Sequence, residues 1–119
     1  MRALLSLMVL LFPAVLPAGE ISTFRAYVDS DLCARLMLGP ITSSRVQCTQ
    51  STFKDGNELV LVRLSNNMVF TPNKEKMIRG LAGQLAEVTG EAKPKNGTVK
   101  LQEAKGITAD SIPQGDPVR

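Results

Sequence analysis

The chain has 119 residues, 14 basic and 11 acidic side chains, no histidine and two cysteines. A single small domain fits that length. Lack of histidine removes the usual base of a serine or cysteine nucleophile, and the near-balanced, interspersed charges give no electrostatic footprint for a polyanion.

At the start, Met1-Arg2 is positive, Ala3 to Phe12 is almost wholly apolar, and Pro17-Ala18-Gly19 supplies small residues for cleavage. This layout predicts a secretory signal peptide over 1–18, because the apolar run is only about ten residues against roughly 20 for a membrane span. The expected mature protein is exported, periplasmic or secreted, and soluble, with no membrane span after signal cleavage. Loss of Arg2 leaves it 13 basic against 11 acidic side chains. In an oxidising compartment Cys33 and Cys48 are expected to pair, closing a loop of about 16 residues worth roughly 3 kcal/mol. Free thiols or a shared metal are the alternatives, and a metal would need further ligands that the absent histidines cannot supply.

Along the chain, Ser22 to Asp29 alternates, with Phe24, Ala26 and Val28 on one face and Arg25 and Tyr27 on the other, as in a half-buried strand. Gly39-Pro40 breaks any early helical turn, and the Ser/Thr-rich stretch over 42–52 reads as a polar loop held by the disulfide. Asp55-Gly56 marks a turn into Glu58 to Leu64, a strand with Leu59 and Leu61 on one face and Val60, Val62 and Leu64 on the other, so both faces should be covered. Asn66-Asn67 suits the positive φ of a hairpin turn before a return strand over Met68 to Phe70. Thr71-Pro72 reads as a helix N-cap and first residue, with a short helix to Leu81 stopped by Gly80 and Gly83. Gln84 to Ala92 and Thr98 to Lys105 complete a hairpin turning at Asn96-Gly97, with Gly90 at a tight bend. Residues 108–119 mix proline, glycine and charge without periodicity and read as a flexible tail.

Five strands with one short helix between the third and fourth give the element order of a small, mainly β OB-like barrel, spanning 20–107. The chain also resembles a group of small exported bacterial domains of uncharacterised function, thought to be OB-like. The pieces that carry the resemblance are Tyr27-Val28-Asp29-Ser30-Asp31-Leu32-Cys33, then Cys48, Leu59-Val60-Leu61-Val62, Glu87-Val88-Thr89-Gly90 and Asn96-Gly97-Thr98-Val99-Lys100-Leu101. Relatives of this type often follow the first cysteine with glycine and histidine, whereas Ala34 and Arg35 follow Cys33 here. The resemblance implies fold and export and leaves function open.

No catalytic residue, resident metal or cofactor is expected. Asp29 and Asp31 bracket Ser30 and could hold a hard cation, but two carboxylates are too few for a firm site, and Asp29 and Ser30 satisfying backbone N–H groups at a turn is the favoured reading. A ligand groove would be lined by Tyr27, Arg63 and the 42–52 loop. Lys93, Lys95, Lys100 and Lys105 gather around the last hairpin, either to meet an acidic partner or to protect a strand edge. Asn96-Gly97-Thr98 also matches the N-glycosylation acceptor pattern. The expected function is that of a monomeric, non-catalytic binding module for a cation, small solute or envelope protein. The alternatives are a small thiol-redox or hydrolytic enzyme and a single-stranded nucleic-acid binder. Few aromatics and export weigh against nucleic acid as the partner.

Overall fold

The computed structural model describes residues 20–108. The signal segment expected over 1–18, and the tail from 109 onward, lie outside the described residues. Five strands dominate: β1 (Ile21–Ser30), β2 (Leu59–Arg63), β3 (Val69–Pro72), β4 (Leu85–Lys93) and β5 (Thr98–Ile107). Two helices, α1 (Asp31–Leu36) and α2 (Ser43–Lys54), connect β1 to β2. The fold is therefore mainly β, with its helices concentrated in one connection.

The strands pair in the order β1-β2-β3-β5-β4, and β4 returns to β1, so the sheet closes on itself. All pairings are antiparallel except β3 with β5. β1 makes closure possible by serving two neighbours along its length. Ile21 to Tyr27 pair with Leu85 to Glu91, and Ala26 to Ser30 pair with Leu59 to Arg63. Closure hides backbone groups that an open sheet would leave at its edges.

Alternation along the strands sorts the side chains into two cores. Phe24, Ala26 and Val28 of β1 meet Leu59, Leu61, Phe70, Ala86, Val88, Val99 and Leu101 inside the sheet. The Phe24 and Phe70 rings lie 5.6 Å apart there. On the outer face, Tyr27, Val60, Val62 and Leu64 pack with Ala34 of α1, and Ile41 and Val46 cover them. The two-faced burial of β2 expected from its sequence is thus present, with the helical hairpin as its outer cover.

The turn chemistry also follows the sequence. Asn67 has φ 59° and Gly97 has φ 67°, the left-handed conformation their hairpin turns require. At Gly90 the β4–β5 register shifts, and a Cβ added there would collide with the Lys100 carbonyl oxygen. Glycine is required at this bulge by close backbone approach.

Two expected elements differ. The polar loop over 42–52 is the twelve-residue helix α2. Thr42 caps it by accepting the Arg45 N–H at 3.2 Å, and the stripe that it buries is polar, Arg45 and Thr49. The helix expected over Thr71 to Leu81 is absent: Thr71 and Pro72 belong to β3, and two single 3-10 turns follow at Glu75–Met77 and Arg79–Leu81. Tertiary tethers hold this segment away from helical geometry. Asn73 donates its N–H to Val99 at 3.1 Å, the Glu75 carboxylate accepts the Leu59 N–H at 2.9 Å, and Ile78 is drawn fully into the core.

Gly90→Ala is expected to cost about 1–3 kcal/mol in urea unfolding through backbone overpacking. Gly80→Ala, which faces open space, should change stability by less than about 0.5 kcal/mol. Equal effects of the two substitutions would contradict the assigned bulge.

Candidate functional site

Strand alternation places Tyr27 and Asp29 on the outer face of β1, where α2 crosses it. Arg45 and Thr49, one helical turn apart, point from α2 onto that face. Arg45 donates from Nε to Asp29 Oδ2 at 2.9 Å, and its Nη1 donates to the Gly39 carbonyl at 2.7 Å. Nη2 lies 2.9 Å from the same carboxylate oxygen but is not aligned for a hydrogen bond. The other oxygen, Oδ1, accepts from Thr49 Oγ1 at 2.6 Å and from the Ser30 N–H at 2.8 Å. Both members of the Asp29–Arg45 pair are fully buried.

The direction of the proton chain follows from valence. The single Thr49 hydroxyl proton faces two groups that only accept, the Asp29 carboxylate at 2.6 Å and the Arg45 carbonyl at 3.0 Å, so it is Tyr27 OH that donates to Thr49 Oγ1 at 2.9 Å. The Arg45 guanidinium also sits 5.0 Å from the Tyr27 ring centroid. Burial pushes the Tyr27 phenol above its ordinary 10.0, and the Asp29 charge raises it further, against the opposing effects of the contact with Thr49 and the charge of Arg45.

Beside this cluster, Ser30 caps α1 by accepting the Cys33 N–H at 3.1 Å, and the Thr52 hydroxyl donates to Ser30 Oγ at 2.6 Å. Cys33 and Cys48 form the expected disulfide, with Cα atoms 6.1 Å apart, and so join α1 to α2. Thr52 Oγ1 also lies 3.4 Å from Cys33 Sγ.

Of the residues singled out from sequence, Tyr27, Asp29 and Ser30 therefore come together with the disulfide, as an internal network. Asp31 does not join them: it is exposed to solvent and pairs with Arg35 at 3.2 Å. The two carboxylates thus face different partners and do not converge on one point. Arg63 is separate too, with its guanidinium 5.3 Å from the Phe24 ring. The groove expected between Tyr27, Arg63 and residues 42–52 is filled, because α2 lies directly on Tyr27. Sequence reasoning missed the roles of Arg45 and Thr49. Their i, i+4 spacing behind the cap residue Thr42 was the available signal.

Open concavities lie elsewhere. A cleft of about 460 Å³ is lined by Phe53, Gly56, Asn57, Glu58, Glu75 and Arg79. Around the β4–β5 turn, two depressions share Lys93. One, of about 460 Å³, is bordered by Ala92, Pro94, Lys95 and Asn96, and the other, of about 120 Å³, by Asn73, Glu91, Thr98, Val99 and Lys100. No family model matches the chain, and searches of curated proteins and of solved structures gave no significant match.

Tyr27 is the sole tyrosine and tryptophan is absent, so tyrosinate absorbance reports this site alone. The native titration is expected to have its midpoint above 10.0, returning to about 10 in denaturant. Because the folded value is raised, the associated stability is fully present below pH 10 and is lost as pH rises through the folded value. Tyr27→Phe should remove that alkaline loss. A native midpoint at or below 10 would contradict the buried donor role.

Proposed function

We propose that the mature chain is an exported, non-catalytic binding module on an OB-type barrel, with a protein of the cell envelope or exterior as its ligand. A closed five-stranded sheet in the order β1-β2-β3-β5-β4 supports the OB reading. The helix expected between β3 and β4 is reduced to 3-10 turns, and the β1–β2 connection carries a helical hairpin in addition. Export is supported by the disulfide, which suits an oxidising compartment, and by the signal-like sequence at the start.

One observation carries the non-catalytic reading. The groups best suited to chemistry (Tyr27, Asp29, Ser30, Thr49 and both cysteines) are bonded to one another beneath or within the helical hairpin. Ser30 Oγ is occupied in capping and has no base beside it, and each sulfur is held in the bridge. Asp29 is neutralised by Arg45, which weighs against a cation as ligand. Phe24, Tyr27 and Phe70 are buried, which removes them as stacking platforms for nucleobases. The remaining concavities open onto the surface, as suits a protein partner better than an enclosed solute.

The test combines turnover with complex formation. Purified mature protein should hydrolyse no activated ester and should not catalyse dithiol reduction of insulin. Mixed with the exported-protein fraction of its source, it should migrate in a larger complex by light scattering. Turnover lost in Ser30→Ala or in a Cys33→Ser/Cys48→Ser double variant would contradict the proposal. So would absence of any complex.

A further inference from the structure

The lysines at the β4–β5 turn are brought together with one from another segment. The turn is fixed by the Asn96 and Gly97 N–H groups, which donate to the Lys93 carbonyl at 3.0 and 2.9 Å. Just beyond β3, Asn73 straddles Lys100: its N–H donates to Val99 at 3.1 Å, and its Oδ1 accepts the Leu101 N–H at 2.9 Å. Lys74 is the next residue in the chain after Asn73. Lys74, Lys95 and Lys100 are exposed, and among the described residues none of the three is in an ion pair. Lys93 reaches Glu91 only at 4.0 Å.

Edge protection does not account for Lys100. There the flank of β5 away from β4 is occupied by β3 at Thr98 and Val99 and by Asn73 at Leu101. Lys93, Lys95 and Lys100 instead line two neighbouring depressions that share Lys93, with apolar lining from Ala92, Pro94 and Val99, polar lining from Asn73, Asn96 and Thr98, and one carboxylate, Glu91, already facing Lys93. A concave surface suits a chain better than a planar bilayer. It also lacks aromatic side chains, so neither bases nor sugar rings have a stacking partner there.

We propose that Lys93, Lys95 and Lys100, which line these depressions, together with Lys74 next in the chain to the lining residue Asn73, form the docking surface for an acidic segment of another exported protein. This rests on the binding-module reading and assigns its site. Carboxylates of the segment pair with ammonium groups on flexible stems, which tolerate variable carboxylate spacing. The apolar lining takes the intervening side chains, and the lining amides and hydroxyl bond its backbone. Contacts of this exposed kind act together, speed association and weaken as salt rises.

The probe is a labelled dodecapeptide of Asp, Glu and Ser, followed by fluorescence anisotropy with the mature, disulfide-bonded protein. A matching Asn/Gln/Ser peptide, oligo-dT and phosphatidylglycerol vesicles are run beside it. The acidic peptide should bind, and binding should weaken with salt. It should be weaker by about tenfold or more in Lys95→Glu/Lys100→Glu, unchanged in Lys54→Glu, and the thermal midpoints of both variants should match the wild type. Equal binding by the double variant, equal binding of the neutral peptide, no peptide binding, or tighter binding of oligo-dT or vesicles would overturn the proposal. Peptide failure with complexes still formed in the exported fraction removes this surface alone, whereas turnover removes the binding-module reading beneath it.

Discussion

The contact between Asp29 and Arg45 fixes the relation between the helical hairpin and the sheet. α2 is a poor helix in isolation, rich in Ser, Thr, Gln and Cys and only 12 residues long. What keeps it in place is a buried guanidinium bound to a strand carboxylate, with Thr49 and Tyr27 completing the hydrogen bonds. Removing one partner of such a pair leaves an uncompensated buried charge, typically costing about 3–5 kcal/mol. Replacing both with apolar groups is often neutral. The pair therefore specifies where α2 sits more than it adds to net stability. The disulfide acts alongside by limiting the unfolded chain, about 3 kcal/mol for a loop of this size.

This arrangement decides what is available for function. With the helical hairpin seated on Tyr27, Val60 and Val62, through Ala34 of α1, Ile41 and Val46 of α2, the outer face of β1 and β2 becomes a second core and cannot serve as a binding face. The Gly39 carbonyl is held by the same arginine, so the connection between α1 and α2 is anchored from within. The β4–β5 turn and the segment after β3 lie outside this second core and keep exposed lysines, Lys74, Lys95 and Lys100. A closed sheet with a disulfide-stapled helical cover suits the support of such a surface, because a preformed surface lowers the ordering cost of binding.

Much of the sheet was legible in the sequence because strand burial is periodic. Leu59/Leu61 against Val60/Val62 divided correctly between two cores, and Val99/Leu101 against Lys100/Gln102 between core and solvent. Asn67 and Gly97 marked their turns through positive φ. Apolar periodicity failed at α2, whose buried stripe is Arg45 and Thr49. A buried arginine is recognisable only from its partner, and nothing in linear spacing joins Arg45 to Asp29. The segment after Pro72 misled in the opposite sense. Met77, Ile78 and Leu81 have helical spacing, yet the Asn73 amide oxygen and the Glu75 carboxylate accept backbone N–H groups of Leu101 in β5 and Leu59 in β2, and so hold the chain in 3-10 turns. Of the site residues, Tyr27, Asp29 and Ser30 were found, but their role is internal, and Asn73, which ties the segment after β3 to the backbone of β5, gave no sequence signal.

The most direct test of this account is a double-mutant cycle on the buried pair, using Asp29→Asn, Arg45→Met and the double variant in chemical denaturation. Each single substitution is expected to cost about 3–5 kcal/mol or to prevent folding. The double variant should fold and lose less than the sum, with a coupling above about 2 kcal/mol. Additive, small losses would contradict the central role given to the pair, because α2 would then be held by the disulfide and apolar packing alone.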